Sequence, residues 1–148
     1  MGLAPDFNEF FRLLNDQRVE FVVVGAYALA LHGAPRYTGD MEILVRPAPD
    51  NAERLLRVIR SFGFPAPELT VETIVASTCL IQMGVPPVQL HIMSDIDGVT
   101  WDDVWSDHEV AVLSDLAIPF IGRRSFLSNK RAAGRPKDLA DIEALGEK

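Results

Sequence analysis

Four consecutive strand-forming residues, Phe21-Val22-Val23-Val24, run straight into Gly25 and then into good helix formers from Ala26 to His32. A short run of β-branched and aromatic side chains with no polar member reads as a strand buried on both faces. The glycine lets the chain turn at once from strand to helix and leaves room for a ligand to approach the backbone. The helix behind it presents unpaired N–H groups to an anion. Gly33 and Pro35 then stop the helix. A chain organised around such a unit needs further strands to pair with this one and further helices to cover it.

The remaining sequence supplies both. Apolar residues at 7, 10, 11 and 14, behind Pro5 and Asp6, have helical spacing with an acidic first turn. Met41 to Val45 alternates and ends at Arg46-Pro47, as a second strand would. Pro49-Asp50-Asn51 opens an amphipathic helix through Leu55, Leu56 and Ile59 that stops near Gly63, and the Pro-rich stretch 64–72 is left unassigned. Residues 78–83 and 88–92 read as strands of a hairpin turning at Gly84-Val85-Pro86-Pro87. A short helix at 101–105 and strands at 108–113 and 117–121 follow. Helices at 124–133 and 136–145 end the chain, the last with proline at its favoured first position. Strands and helices alternate at first and a hairpin comes later, which predicts an α+β fold: a mixed β-sheet flanked by helices, in one domain over 1–148.

The chemistry-bearing stretch is Gly39-Asp40-Met41-Glu42, at the start of the second strand. Side chains two apart on a strand share a face, so Asp40 and Glu42 project together with Cα atoms roughly 6.6 Å apart. Two carboxylates so placed repel unless a cation lies between them. A hard divalent ion bridging them to phosphate oxygens relieves this, and a solvated strand end is the plainer alternative.

Composition narrows the field. Hydrophobic residues at 48% and charged residues at 24% are ordinary for a soluble globular protein, and a cytoplasmic location is expected. No apolar run is long enough to span a bilayer, and no signal peptide is expected. The single cysteine, Cys79, excludes an internal disulfide and reads as a small buried hydrophobe. A net charge of −7 argues against a broad non-specific grip on nucleic acid. The charge is segregated, however: Arg123, Arg124, Lys130, Arg131, Arg135 and Lys137 account for six of the 14 basic residues. That run is either a solvated helix face or an anion-handling feature.

Three stretches together resemble the nucleotidyltransferase superfamily of the DNA polymerase β type, and within it small bacterial proteins related to AbiEii-type abortive-infection toxins. They are Val24 to Gly33, Arg36 to Val45, and Lys130-Arg131-Ala132-Ala133-Gly134-Arg135-Pro136-Lys137-Asp138-Leu139-Ala140-Asp141. The resemblance implies a nucleotidyltransferase fold and transfer of a nucleoside monophosphate from a nucleoside triphosphate, with Mg²⁺ or Mn²⁺ as cofactor. By position it implies that Gly25 and Ala26 back the triphosphate, with Arg36 and Thr38 nearby, and that Asp40 and Glu42 hold the metal. Lys130, Lys137, Asp138 and Asp141 match the C-terminal Lys/Asp motifs around nucleotide and phosphate. The acceptor is open among RNA, protein and small molecules. The toxin-like relatives imply a protein partner or self-assembly.

Three positions depart from the family pattern. Ala26 has no hydroxyl for a phosphate, and Glu42 stands where aspartate is commoner. More seriously, His91 occupies the place of the third carboxylate. Imidazole suits Mn²⁺ or Zn²⁺ better than Mg²⁺, and it can itself serve as a general base. Asp95 and Asp97 lie nearby in the turn-rich Ser94-Asp95-Ile96-Asp97-Gly98. An active transferase, a catalytically impaired nucleotide-binding module and a toxin–antitoxin component working through a protein partner are therefore all compatible with the sequence.

Overall fold

The computed structural model describes residues 3–35, 38–64, 69–76, 80–85 and 88–148. Helix α1 (Pro5–Asp16) begins with proline in its first turn and buries Phe7, Phe10, Phe11 and Leu14, the four positions that helical spacing selects. Phe11 stacks on Phe21 at 5.6 Å between ring centroids, and Phe10 meets Phe62 edge-on at 5.3 Å. Each such side chain removed from water stabilises the fold by about 1.5–3 kcal/mol. These rings tie α1 to strand β1 (Phe21–Val24) and to the end of helix α3 (Pro49–Ser61).

All four residues of β1 are buried, so both faces of the sheet are covered at its centre. Helix α2 (Gly25–Leu31) leaves β1 without an intervening loop, and strand β2 (Asp40–Val45) returns antiparallel to β1. After α3 comes a short helix, α4 (Val71–Val75), which begins at the end of the unassigned stretch 64–72 and runs on into residues given no element from the sequence. Five residues are too few to show a helical repeat. The hairpin follows as β3 (Leu80–Val85) and β4 (Val88–Met93), then helix α5 (Trp101–Asp107) and strands β5 (Glu109–Leu113) and β6 (Leu116–Phe120). Helices α6 (Arg123–Ala133) and α7 (Pro136–Ala144) complete the order.

The six strands form one mixed sheet in the order β3-β4-β2-β1-β6-β5. β1 pairs antiparallel with β2 and parallel with β6, and β2 pairs parallel with β4. The expected mixed sheet flanked by helices is therefore present. Asn51, fully buried at the start of α3, fixes one end of the central pair. Its side chain accepts from Glu20 N–H at 2.7 Å and donates to the carbonyls of Glu20 and Arg46 at 2.9 and 3.0 Å. These three bonds clamp the entrance of β1 to the exit of β2, which leaves the opposite end of the pair, Val24-Gly25 and Asp40-Met41-Glu42, to form the site. Among the described residues, no helix is long and apolar enough to cross a membrane. Arg36 and Cys79 lie outside the described residues.

Candidate functional site

Register across the sheet places the acidic pair. Val24 of β1 and His91 of β4 stand on either side of Glu42, and Asp40 stands beside Gln89. Directly paired residues point to the same face, as do residues two apart on one strand, so Asp40, Glu42 and His91 share a face. The place expected for a third carboxylate is thus beside Glu42, and a histidine fills it. Its Nε2 is buried with no hydrogen-bond partner. A buried polar atom left so costs on the order of 1–3 kcal/mol.

Gly25 and Glu42 are in close apposition. Gly25 has φ of +69°, which disfavours any side chain, and a Cβ there would run into the Glu42 carboxylate. The strand-to-helix turn therefore needs glycine for its backbone and for its neighbour. Ala26 is buried within α2. Thr38 is turned to local use: its Oγ1 accepts from Asp40 N–H at 3.1 Å and lies 3.3 Å from the Asp40 carbonyl, which shapes the entry to β2.

The C-terminal helices bring basic groups to this end of the sheet. Gly134, with φ of +65°, ends α6 and gives its N–H to the Lys130 carbonyl. Arg135 is the next residue and caps α7, with Pro136 in the first turn and Asp138 three residues on. Asp138 is fully buried and accepts from the Arg135 backbone N–H at 3.2 Å, from Arg135 Nε at 2.7 Å and from Arg135 Nη2 at 3.3 Å. Lys130, also buried, places Nζ 3.2 Å from Asp138 and 3.2 Å from Asp141. Burial pushes the Asp138 carboxyl up, but the hydrogen bonds from Arg135 and Lys130 outweigh it and hold the group below the usual carboxylate range.

This arrangement changes the reading of the basic run. Arg123 bonds Glu147 and the carbonyls of His32 and Leu145, and Arg131 bonds the Lys148 carbonyl. Lys130 and Arg135 serve Asp138 and Asp141, so the run is not one solvated face. Lys137 is exposed, and Asp141 is buried against Lys130 rather than forming a surface pair one turn along α7.

A cavity of about 310 Å³ opens where these elements meet. Val24, Gly25 and Glu42 line it from the central strands, Met93, Asp95, Ile96 and Asp97 from the end of β4, and Asn129, Lys130, Ala133 and Arg135 from α6 and its end. Asn129 Nδ2 donates to the Asp97 carbonyl at 2.9 Å, fixing the Asp95–Asp97 loop to α6. β4 ends at Met93, so Asp95 is in this loop and does not continue the strand parity of His91. Glu42, Asp95 and Asp97 on the wall, with Asp138 and Asp141 behind, set five carboxylates against the two cations Lys130 and Arg135. Such a cavity repels a polyphosphate that comes without metal.

Residue-by-residue sequence reasoning gave Arg135 no role of its own: it stood among six basic residues and within the Lys130–Asp141 stretch that carries the resemblance. The signal was its place in Gly134-Arg135-Pro136-Lys137-Asp138, where glycine ends one helix, proline opens the next and an acid follows at capping distance. Among the described residues, no three His, Cys, Asp or Glu side chains converge as a ready-made metal cage. The donor chemistry nevertheless fits Mg²⁺ or Mn²⁺. Mg²⁺ is commonly held by one or two carboxylates and completed by phosphate and water, and the unpartnered nitrogen beside Glu42 suits Mn²⁺.

Comparison with known proteins identifies the fold. No protein-family model matches the chain, and no curated protein matches it in sequence. Solved structures do. A candidate nucleotidyltransferase from Thermotoga maritima aligns with a TM-score of 0.63 at 16% identity, over 93% of this chain and 88% of that one. The lincosamide antibiotic adenylyltransferase LnuA, solved with lincomycin bound, aligns at 0.59 and 11% identity over 98% and 97%. An antigenic nucleotidyltransferase-like protein from Paracoccidioides brasiliensis aligns at 0.53 and 15% identity over 98% and 76%. The chain has the nucleotidyltransferase fold.

Proposed function

We propose that this protein is a metal-dependent nucleotidyltransferase whose donor site is the cavity between Gly25, Glu42 and the α6–α7 corner. The observation that carries the reading is the common face of Asp40, Glu42 and His91, with the Glu42 carboxylate against the glycine turn that opens α2. A divalent metal at Asp40 and Glu42, when bound, supplies charge neutralisation at the phosphates. The glycine turn admits the triphosphate close to the backbone, and Lys130 and Arg135 bring positive charge to the same cavity. The acceptor oxygen attacks the α-phosphorus in line and the α–β phosphoanhydride bond breaks. Pyrophosphate leaves, and a carboxylate on the cavity wall, Asp95 or Asp97, takes the acceptor's proton, while His91, its Nε2 buried beside Glu42, stands with the metal-holding residues. Positioning and electrostatics do most of the work in such a site.

The acceptor is best read as a small neutral or cationic molecule bearing a hydroxyl. The net charge is −7, and five of the six basic residues in the C-terminal run are engaged with local carboxylates and carbonyls, which leaves little positive surface for RNA. LnuA, an antibiotic adenylyltransferase, is spanned over nearly its full length by this chain, in line with a small acceptor. The link to AbiEii-type toxins would add a protein partner, tested by pull-down.

The decisive experiment is binding of each nucleoside triphosphate with Mg²⁺ or Mn²⁺, followed by transfer of α-labelled nucleotide to small-molecule, RNA and protein pools. Binding and transfer abolished by Asp40→Ala supports the enzyme. Binding without transfer, with transfer gained on His91→Asp, supports an impaired nucleotide-binding module. Wild type binding no nucleotide rejects both.

A further inference from the structure

We infer that Arg135, presented on the wall of the cavity by Asp138, grips the phosphates of the nucleotide, while Lys130 holds the corner together behind it. The inference rests on the nucleotide reading above and assigns the phosphate-gripping role to a residue outside the family-implied set. Lys130 and Arg135 are the two basic residues that line the cavity among the described residues. They differ in what they can offer.

The Lys130 side chain is 9% exposed and lies between two buried carboxylates. Turning its ammonium towards a ligand would leave Asp138 and Asp141 facing each other without it. The Arg135 side chain is 60% exposed. Its Nε and one Nη2 hydrogen serve Asp138, which leaves three of its five N–H groups for an incoming anion. Asp138 holds the residue by backbone and side chain together, so the planar fork is oriented in advance. The guanidinium also lies in the field of Glu42 and Asp97. Glu42 would hold the metal that accompanies a triphosphate, and Arg135 on the wall of the same cavity would offer its phosphates a bidentate donor, a role in which arginine outperforms lysine.

The test is titration of the full chain, in Mg²⁺, with the preferred nucleoside triphosphate, its monophosphate and inorganic tripolyphosphate. Variants are Arg135→Lys, Arg135→Gln and, as a surface control, Arg124→Ala, with melting temperature recorded for each. The expected result is triphosphate and tripolyphosphate affinity reduced at least tenfold in Arg135→Gln and by less in Arg135→Lys, with monophosphate affinity changed less than threefold. Arg124→Ala should match wild type. Equal affinities for wild type and both Arg135 variants overturn the inference and leave the nucleotide reading standing, as does a loss in Arg135→Gln as large for the monophosphate as for the triphosphate. If Arg135→Gln fails to fold, Arg135→Lys decides alone: undiminished triphosphate affinity overturns the inference. A wild type that binds no nucleoside triphosphate overturns both.

Discussion

The Glu42 carboxylate lies against Gly25, in the space that a Cβ on residue 25 would occupy. One residue turns the chain from strand to helix and the other reaches over that turn from the neighbouring strand, so neither is free to change without the other. Gly25→Ala places a side chain at positive φ and pushes against the flexible end of Glu42. The backbone strain costs about 1–2 kcal/mol. Nucleotide affinity should suffer more than stability, because Glu42 must leave its position. Thermal melting alongside nucleotide titration checks this. A variant that melts lower yet binds as wild type would show that the apposition is only packing.

His91→Asp restores an oxygen donor beside Glu42, where the β2–β4 register puts residue 91 on the same face. Mg²⁺ gains more from the exchange than Mn²⁺, which tolerates an imidazole ligand better than Mg²⁺ does. Wild type is expected to work better with Mn²⁺ than with Mg²⁺, and the variant to reverse that order. Metal titrations of nucleotide binding read the change directly, without depending on the acceptor.

Much of the fold was legible in the sequence because its signals are local. The phenylalanines of α1, the β-branched run of β1 and Pro136 at the start of α7 each announce an element without reference to the rest of the chain. Asp40 and Glu42 could be placed on one face by strand parity alone. What could not be read was anything set by a long-range meeting. Lys130 and Lys137 look equivalent as basic residues close to acids. Only the packing of α6 against α7 buries the first between Asp138 and Asp141 and leaves the second in water. The same packing brings Arg135, a member of the charge run given no role of its own, to the cavity that Glu42 also lines. Helix α4 escaped for a different reason, since five residues carry no period.

Lys130→Met should be among the more damaging substitutions in the chain. It removes the cation between two buried carboxylates, and breaking a buried pair from one side typically costs about 3–5 kcal/mol. For a chain of this size that lowers the melting temperature by roughly 6–20 °C. Adding Asp141→Asn to Lys130→Met should recover part of the loss, because Asp138 keeps its Arg135 bonds while the Asp141 charge that Lys130 had balanced is gone. Additive losses in the double variant would show that the two groups are not coupled.

Acid sensitivity follows from Asp138. Its carboxyl is pushed up by burial and pulled further down by hydrogen bonds from Arg135 and Lys130, so its folded pKa lies below its unfolded value. The unfolded chain then takes up this proton more readily than the folded one as pH falls. The stability that Asp138 contributes is therefore complete above its unfolded pKa of about 4, and is lost as pH falls through the lowered folded value. Asp138→Asn should lower stability at neutral pH and flatten its decline in acid, so that the melting temperatures of variant and wild type converge as pH is lowered below about 4. Melting curves from pH 7 down to pH 2 at constant ionic strength provide the check. Parallel curves for the two proteins would place the acid sensitivity in other carboxylates. Convergence would show that the clasp holding Arg135 on the cavity wall is also the one that opens in acid.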